Sequence, residues 1–309
     1  MAFRFSILIP TYNREKHVRE AVDSILSQTF RDYELFVIDD GSTDGTAEAL
    51  NSYGARVNVL RQKNQGPEVA RNKAAALAQG EYLVFLDSDD LLSPCALMTY
   101  DRIIREFNSP PLIVGSMAYF TDGQKPPLES ADANANIAVY KFKDYLTKEV
   151  SVGLSNSRIV LRKSLFDQVG GVRNSTPATF HLDDFNLILK VGTYGPCMIV
   201  EKPFTVAYRA HEANSIRSVE SIVNGICGLI DLERSGQFPG GAERKLERYA
   251  FIGGIASLWV KYAWKGGRRK LALKLMKKSA PMLAATLYRK TLRMFHHAAP
   301  IVLSGESKQ

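Results

Sequence analysis

The chain has 309 residues, of which 45% are hydrophobic and 23% charged, proportions ordinary for a folded soluble protein with a large core. Its three cysteines are odd in number, widely spaced and form no metal-ligand cluster, which favours a reducing cytosolic setting. The apolar start at residues 5–10 is too short for a signal-peptide core, and the uncharged stretch 250–260 is too short for a membrane-spanning helix, so neither is predicted.

The positive charge is concentrated late in the chain. The net charge is +8, yet the segment from Lys261 to Arg293 alone has eleven Lys or Arg and no Asp or Glu. The rest of the chain is therefore slightly acidic, and the two parts are interpreted separately.

Strand and helix patterns alternate through the first hundred residues. Four runs predict strands, at residues 5–10, 33–39, 56–60 and 82–86. Between the first two strands, apolar residues recur from Val18 to Leu26 at the spacing of an amphipathic helix. Strands that alternate with helices of this length predict βαβ units, and therefore an α/β fold with a mostly parallel central sheet flanked by helices.

Three further helices are predicted in this part, the first between the capping hydroxyls and carboxylates of residues 42–46 and a stop at Gly54. The second begins at Pro67, which suits a first helical position, and ends at Gly80, which suits a C-cap. Four of its residues are expected on the buried face: Ala70, Ala74, Leu77 and Ala78. The next helix begins after Ser93 and Pro94.

Beyond residue 110 the periodicity is weaker. Residues 110–120 and 156–166 look like strands followed by a turn or helix, and residues 121–136 read as a loop. A helix is predicted to open at Asp183 or Asp184, and residues 197–211 look like paired short strands. From about residue 216 the pattern is helical to the end of the chain.

Carboxylates follow two of the buried strands at the point where each strand ends. Asp39 and Asp40 follow the second predicted strand, and Asp87 and Asp89 follow the fourth. Because the carboxyl ends of parallel strands meet at one edge of an open sheet, both clusters should face one crevice. Two carboxylates one residue apart can share Mg²⁺ or Mn²⁺, which favours oxygen ligands from few protein groups plus substrate. A solvated turn that caps the next helix is the simpler alternative.

Other motifs are weaker or absent. Residues 40–51 imitate a calcium-binding loop, but Asn51 occupies the position that requires a bidentate Glu, and a strand precedes the loop instead of a helix. Gly66 precedes a predicted helix start, where backbone amides can meet an anion. The sequence contains neither a G-x-G-x-x-G nor a Walker A motif, which excludes the usual dinucleotide-binding and P-loop interpretations.

In order along the chain, these segments resemble family-2 glycosyltransferases of the GT-A fold. The matching segments are "ILIPTYNRE" (7–15), "SILSQTF" (24–30), "VIDDGSTDGT" (37–46), "NQGPEVARN" (64–72), "GEYLVFLDSDD" (80–90), "DDFNLILKV" (183–191) and "YRAH" (208–211). The resemblance implies a hexosyltransferase-like enzyme that moves a sugar from a nucleotide-sugar donor, most often a UDP-sugar, to an acceptor hydroxyl with inversion, using Mg²⁺ or Mn²⁺. It also implies a catalytic domain over residues 1–215 and a helical basic extension over 216–309.

The resemblance assigns roles by position. Asp184 matches the general base, and Asp89 and His211 match residues that reach the metal. The donor-binding set is Pro10, Thr11, Tyr12, Glu15, Asp39, Asp40, Arg71, Asp87 and Ser88. Most relatives have Glu-Asp where this chain has Asp183-Asp184, and a later Asp where it has Asn186, although an Asp remains at the catalytic position.

Two alternative functions belong to other classes. A sugar-nucleotide nucleotidyltransferase shares the sheet architecture, but it usually needs a Gly-rich N-terminal loop with a basic residue, which residues 10–15 lack. A non-catalytic nucleotide-sugar-binding or membrane-adaptor protein is the second alternative. The joint presence of Asp40, Asp87, Asp89 and Asp184 argues against it.

The basic extension has two main interpretations, and nucleic-acid binding is a third, weaker one. In "RRKLALKLMKK" (268–278), Leu271, Ala272, Leu275 and Met276 share one helix face, and aromatic residues precede the segment. This pattern suits an anionic membrane surface, and it also suits a helical appendage that packs on the catalytic domain with a solvated basic face. Lipid-linked acceptors, implied by the resemblance, favour a cytoplasmic protein that contacts the inner face of the membrane. A nucleic-acid partner is not expected.

Overall fold

The computed structural model describes residues 3–128, 136–172, 182–211, 218–293 and 298–304. Within these ranges the strands are β1 (Phe5–Thr11), β2 (Tyr33–Asp39), β3 (Asn58–Arg61), β4 (Tyr82–Phe85), β5 (Leu91–Leu92), β6 (Leu112–Val114), β7 (Met117–Thr121), β8 (Ile137–Phe142), β9 (Ile159–Arg162), β10 (Cys197–Lys202), β11 (Val206–Ala210) and β12 (Ile301–Leu303). The α-helices are α1 (Glu15–Leu26), α2 (Thr46–Asn51), α3 (Pro67–Leu77), α4 (Ala96–Glu106), α5 (Lys163–Gln168), α6 (Asp183–Val191), α7 (Val219–Arg234), α8 (Lys245–Lys265) and α9 (Arg269–Arg293).

Nine of the described strands form one central sheet in the order β12-β8-β10-β6-β9-β4-β1-β2-β3. The pairings β1–β2, β1–β4, β2–β3 and β6–β10 are parallel. The pairings β4–β9, β6–β9, β8–β10 and β8–β12 are antiparallel. The predicted α/β class is confirmed, and the sheet is more mixed than the mostly parallel sheet that was expected.

A smaller sheet lies beside the central one. Within the described residues it has three strands in the order β5-β11-β7, with β11 parallel to β7 and antiparallel to β5. The prediction that residues 197–211 form strands paired with each other is therefore wrong. β10 and β11 are adjacent in sequence, but they join different sheets, because β10 pairs with β6 and β8.

Alternation along the strands builds a core on each face of the central sheet. In β1, Phe5, Ile7 and Ile9 pack with residues of α1, α2 and α4, whereas Leu8 packs with residues of α3, α5 and α6 on the other face. Successive side chains of a strand point to opposite faces, so a fully apolar strand requires helices on both sides. The apolar runs that the sequence predicts as buried strands therefore form the middle layer of a three-layer domain, with helices on both sides.

Helix α3 departs from its prediction at the C-terminal end. It begins at Pro67 as expected but ends at Leu77, with extended backbone at Ala78. Gly80 is not the C-cap: it lies so close to β1 that a Cβ atom would be 2.6 Å from the backbone of Phe5 and Ser6. Leu77, expected on the buried face, is exposed.

The extension is helical, as predicted, and packs on α6 in the preceding part of the chain. α7, α8 and α9 share a hydrophobic cluster that also contains Leu182 and Leu189, the latter from α6. Near the end of the chain β12 pairs with β8 at the edge of the central sheet, so the helical pattern does not continue to the last described residues. None of the helices in the described ranges is both long enough and apolar enough to cross a membrane.

Candidate active site

The two acidic clusters lie at one edge of the central sheet. β1 is parallel to both β2 and β4, with Thr11 in register with Asp39 and Leu8 in register with Phe85. The chain leaves β2 and β4 at this shared edge, so the side chains that follow both strands gather there, as the sequence predicted. In open α/β sheets this is the edge at which ligands bind.

Asp40 organises the loop that leads into α3. One of its oxygens accepts hydrogen bonds from the Gln62 side chain (2.8 Å) and the Gln65 backbone N–H (2.9 Å), and the other accepts from the Gly66 backbone N–H (2.8 Å). Gly66 has φ of 93°, a left-handed conformation that favours glycine. Both carboxylate oxygens of Asp40 are thus engaged within the protein.

Asp39 has an oxygen that no hydrogen-bond donor within the described part of the chain satisfies. Its Oδ1 accepts from the Ser42 backbone N–H (2.8 Å), while its buried Oδ2 has no hydrogen bond and lies 3.4 Å from Arg61 Nε. The buried hydroxyl of Thr11, on the strand next to it, also lacks a partner there. Buried polar atoms are usually satisfied, so this pair marks a place where a polar ligand group fits.

The remaining donor-binding residues predicted near β1 differ in exposure. Pro10 is buried in β1, whereas the Tyr12 ring is 44% exposed just beyond it. Glu15 is exposed at the start of α1, and its carboxyl group lies against Gly45. Tyr12 directly follows Thr11 in the chain, so an exposed ring comes next to a residue whose buried hydroxyl has no hydrogen bond.

Arg71 connects the end of β4 to the start of α6. Its side chain is buried, and one guanidinium amino group bonds Asp87 (2.6 Å) while the other bonds Asp183. Burial, together with the charges of Asp89 and Asp183, raises the pKa of Asp87 to about 6 against the opposing effect of Arg71. Because both amino groups bind carboxylates, Arg71 fixes the position of α6 relative to Asp87-Ser88-Asp89, the D-x-D segment.

Asp184 lies next to this ion-pair network, in the first turn of α6. One of its oxygens accepts a hydrogen bond from the Phe185 backbone N–H (2.7 Å). Burial is the main cause that raises the pKa of Asp184 well above its usual range, and the neighbouring charge of Asp183 adds to it. A carboxylate with a raised pKa is a stronger base than an ordinary Asp.

Asp89 and His211 meet on the other side of the D-x-D segment. Asp89 Oδ2 lies 2.9 Å from His211 Nε2 and 3.6 Å from Arg14 Nε. Burial alone would raise the pKa of Asp89, but the His211 hydrogen bond and the Arg14 charge outweigh it and hold that pKa below its ordinary value. Asp89 is therefore ionised at neutral pH.

The pair of Asp89 and His211 fits a divalent cation that takes most of its ligands from a substrate. A carboxylate oxygen and an imidazole nitrogen converge there, which is a donor set suited to Mn²⁺. Across the described ranges no group of three or more His, Cys, Asp or Glu side chains converges as a complete protein-only site. Mg²⁺ and Mn²⁺ bound with nucleotides usually have few protein ligands and several from phosphates or water.

Sequence analysis missed a short 3₁₀ helix, residues 156–158, that supports both halves of the site. The Asn156 side-chain amide donates to Asp183 (3.0 Å), and the Ser157 hydroxyl accepts from the Asp87 backbone N–H (3.0 Å). The same hydroxyl donates to the buried Asp90 (2.6 Å). No sequence pattern marks this turn, because its residues become neighbours of the site only when β9 inserts between β4 and β6.

Two more residues near Asp89 were not singled out from the sequence. Arg14 belongs to the matched segment "TYNRE", and its position just after β1 could have identified it. His17, one helical turn farther into α1, stacks on His211 with ring centroids 5.3 Å apart. Ser88, between Asp87 and Asp89, is buried.

Comparison with protein-family models gives one match, described as glycosyl transferase family 2, over residues 6–170. The match covers slightly more than half of the chain and ends before α6, so it includes the D-x-D segment and Arg71 but not Asp184.

Curated relatives share parts of this sequence. Glycosyltransferase GlyG of Streptococcus pneumoniae is 29% identical over 197 residues, 59% of this chain and 65% of GlyG. The poly(ribitol-phosphate) beta-N-acetylglucosaminyltransferase TarS of Staphylococcus aureus is 35% identical over 117 residues, 36% of this chain and 20% of TarS. The putative teichuronic acid biosynthesis glycosyltransferase TuaG of Bacillus subtilis is 43% identical over 89 residues, 28% of this chain and 35% of TuaG. The chain thus spans less than two thirds of each of these relatives.

Solved structures share the fold. S. aureus TarS 1–349 in complex with UDP-GlcNAc aligns with a TM-score of 0.57 and 18% identity, covering 93% of this chain and 92% of TarS 1–349. The mannosyltransferase PcManGT from Pyrobaculum calidifontis, in complex with GDP-Man and Mn²⁺, aligns with a TM-score of 0.53 and 19% identity, covering 96% of this chain and 89% of PcManGT. The fold is therefore the GT-A fold of these enzymes.

Proposed function

The chain belongs to glycosyltransferase family 2, and on that premise we propose that it moves a sugar from a nucleotide-diphosphate-sugar donor to an acceptor hydroxyl with inversion at the anomeric carbon. The observation that carries the proposal is the convergence at one sheet edge of the Asp39 and Thr11 acceptors, the Asp89–His211 pair and the Asp184 carboxylate. We assign the catalytic domain to residues 1–215 and the extension to residues 216–309.

The nucleotide of the donor would bind beside β1. The Asp39 oxygen without a hydrogen bond and the Thr11 hydroxyl supply hydrogen-bonding groups for a base, and Tyr12 offers a ring on which the base can stack. Asp40, with Gln65 and Gly66, holds the wall of this pocket through the loop before α3. Because structural neighbours are complexes with UDP-GlcNAc, UDP and GDP-Man, we propose a nucleotide-sugar donor, with a UDP-sugar first among candidates.

The diphosphate would lie near Asp89 and His211. A divalent Mg²⁺ or Mn²⁺ ion held by these two residues would neutralise the negative charge that the diphosphate gains as it leaves. Arg14, next to Asp89, adds a fixed positive charge at the same place. Asp87 would bind the ribose or a metal-bound water, and Arg71 holds Asp87 in position from the buried side.

Asp184 would act as the general base. Inversion in one displacement requires the acceptor hydroxyl to attack from the side opposite the leaving diphosphate, so the base must come from a different element than the metal ligands. Asp184 meets this requirement because α6 carries it, while β4 and β11 lead to Asp89 and His211. Its raised pKa equips it to remove the hydroxyl proton as the new glycosidic bond forms.

The acceptor is proposed from the relatives. The printed names of TarS and TuaG refer to poly(ribitol-phosphate) and to teichuronic acid biosynthesis. We therefore propose a saccharide or lipid-linked acceptor in the assembly of a bacterial cell-surface polysaccharide or glycolipid, with the enzyme in the cytoplasm at the inner face of the membrane.

A thermal-shift panel of UDP-, GDP- and TDP-sugars, each with and without Mn²⁺, tests the donor half of the proposal. A ligand that binds only the folded state raises the melting temperature according to its affinity. We expect one nucleotide class to stabilise the protein, more strongly with Mn²⁺, and the same donor to release its nucleoside diphosphate on incubation with acceptor-containing membranes. Stabilisation by no nucleotide sugar would overturn the proposal.

A further inference from the structure

An exposed apolar surface lies on the extension, apart from the candidate active site. Trp264, near the end of α8, is 49% exposed, and Leu287 on α9 is 67% exposed. Tyr262, Leu273 and Met276 are exposed as well. Large apolar side chains that cluster at the surface mark a contact with a partner or a membrane.

The exposed apolar residues of α9 form a stripe of their own. Leu273, Met276, Ala280 and Leu287 recur at i, i+3, i+7 and i+14, so they lie on one side of the helix. The residues that α9 buries are a different set: Ala272, Leu275, Ser279, Met282, Ala285 and Thr286. The helix therefore has one apolar face for packing and a second one that the described residues leave uncovered.

The stripe on α9 continues onto α8. Met276 and four residues of α8 line a surface pocket of about 340 Å³, and those four are Val260, Lys261, Trp264 and Lys265. The Arg269 guanidinium lies over the Trp264 ring, 5.9 Å from its centroid. The pocket and the exposed stripe of α9 together bring an aromatic ring, aliphatic side chains and basic groups into one surface, which we call the α8–α9 surface.

The basic residues of this segment fall into two groups. Three of them bond to other groups of the protein: Lys274, which is itself exposed, donates to the Asn224 side chain (3.2 Å), Lys278 to the Asp231 carboxylate (2.5 Å) and Arg289 to the Leu146 carbonyl oxygen (2.5 Å). The others whose side chains are described are exposed: Lys261, Lys265, Arg268, Arg269, Lys270, Lys277 and Lys290. Since residues 261–293 contain no Asp or Glu, the exposed group creates a strong positive field.

We propose that the α8–α9 surface binds an anionic lipid bilayer, with Trp264, Met276, Leu273 and Leu287 entering the headgroup region and the lysines bound to lipid phosphates. Apolar side chains bordered by Lys and Arg are the composition of helices that lie in a membrane interface. A second copy of the chain would bring the same positive charges together and be repelled. Nucleic acid would use the charges but leave the exposed aliphatic stripe without a contact.

The proposed contact names the surface that meets the membrane. It rests on the proposed function only for the membrane location itself. The vesicle experiments need no enzymatic turnover, and donor binding is measured without lipid. A negative result for vesicle binding therefore leaves the donor proposal unaffected, and the reverse also holds.

Co-sedimentation with vesicles tests the charge contribution. The full chain should sediment with vesicles of equimolar phosphatidylglycerol and phosphatidylcholine and remain in solution with phosphatidylcholine alone. Each basic residue near an anionic surface contributes about fivefold to partitioning, so a Lys261→Glu, Lys265→Glu double variant should partition at least about twentyfold more weakly. The matched control is Lys143→Glu with Lys202→Glu, two exposed lysines of the catalytic half, which should sediment like the original chain.

Tryptophan fluorescence tests the apolar contribution, because the chain has two Trp residues. Trp259 packs in the hydrophobic cluster of the extension, so Trp259→Phe leaves Trp264 as the reporter. We expect a blue shift of Trp264 emission on the mixed vesicles, and quenching when the phosphatidylcholine has brominated acyl chains. Trp264→Phe, which leaves Trp259, should show neither change.

Three results would overturn the inference. The first is absence of sedimentation with the anionic vesicles. The second is sedimentation that both charge-reversal pairs weaken equally, which indicates a nonspecific effect of net charge. The third is tight binding of a short RNA or DNA duplex without vesicle binding, which assigns the surface to nucleic acid.

Discussion

The acidic edge of the central sheet and the basic α8–α9 surface hold their charges in different ways. At the edge, carboxylates are partly or fully buried and each has a particular partner: Asp87 and Asp183 bind Arg71, and Asp89 contacts His211. From residue 261 to residue 290, eight Lys or Arg side chains are exposed to solvent. Buried, paired charges hold the side chains around them in specific positions, whereas exposed charges of one sign together attract ligands of the opposite charge to the surface.

The comparison teaches where a substitution should matter for chemistry and where it should matter for location or stability. A substitution at the acidic edge removes a carboxylate or its partner from one defined position. A substitution on the α8–α9 surface removes one of several exposed charges that act together. Substitutions in the two regions test this difference.

Removal of the Asp184 carboxylate should have the largest effect. Asp184→Asn should lower the rate of nucleoside diphosphate release from the donor by about 10²- to 10⁴-fold, because it removes the general base while keeping the shape of the side chain. The matched control in the extension is Asp231→Asn, whose exposed carboxylate pairs with Lys278. Steady-state kinetics should show the control near the original rate, and near-normal turnover of Asp184→Asn would remove Asp184 from the role of base.

Arg248 on α8 and Glu233 on α7 form a buried ion pair in the extension, and its loss should lower stability as the loss of a buried charge of the acidic edge would. Arg248 donates to both Glu233 oxygens, at 2.7 and 3.1 Å, and to the carbonyl oxygens of Pro239 and Gly241. Arg248→Ala leaves Glu233 buried without its cation, so the free energy of unfolding should fall by about 3–5 kcal/mol in urea titrations.

The control for this pair is an exposed ion pair four residues apart on α5, Lys163 with Asp167. Lys163→Ala should lower the free energy of unfolding by about 0.5 kcal/mol or less, because solvent screens such pairs. Equal losses from Arg248→Ala and Lys163→Ala would show that burial does not distinguish the two pairs.

Tyr12 tests the proposed nucleotide pocket. Stacking of a base on an aromatic side chain contributes about 1–3 kcal/mol by alanine substitution, so Tyr12→Ala should weaken UDP binding by about 5- to 150-fold in isothermal titration. Tyr288→Ala, which removes another exposed ring, this one from α9, should leave the affinity unchanged. If Tyr12→Ala binds UDP as the original chain does, the base does not stack on this ring.

The smallest predicted effect is a shift in pH dependence. Asp184 has a pKa above its usual range through burial and the charge of Asp183, and the base must be ionised to act, so activity should rise with pH through that pKa. Asp183→Asn removes the neighbouring charge and lowers the pKa of Asp184, which should move the acidic limb of the kcat/KM profile to lower pH. An unmoved limb in Asp183→Asn would show that Asp183 does not influence the base.

Local sequence patterns predicted individual helices and strands in the first part of the chain. The run 33–39 is β2 residue for residue, and the helix predicted from Val18 to Leu26 lies within α1, because hydrophobic periodicity and burial agree there. The convergence of the acidic clusters also followed from local elements, since parallel βαβ units fix which strand ends meet.

Long-range pairing was not predictable from the same patterns. β10 and β11 are adjacent in sequence with alternating apolar residues, yet β10 joins the central sheet and β11 the smaller one. Gly80 looked like a C-cap because the glycine fits that role, whereas its packing against β1 depends on a strand more than 70 residues away. Asn156 and Ser157 reach the site for the same reason, through the insertion of β9.

The measurement that most directly tests the central claim is isothermal titration of UDP into the original chain and into Asp89→Asn, each with and without Mn²⁺. If Asp89 and His211 hold a cation that binds the diphosphate, Mn²⁺ should tighten UDP binding to the original chain by at least about tenfold and leave Asp89→Asn unaffected. Equal UDP affinity with and without Mn²⁺ in the original chain, or an undiminished Mn²⁺ effect in Asp89→Asn, would contradict it.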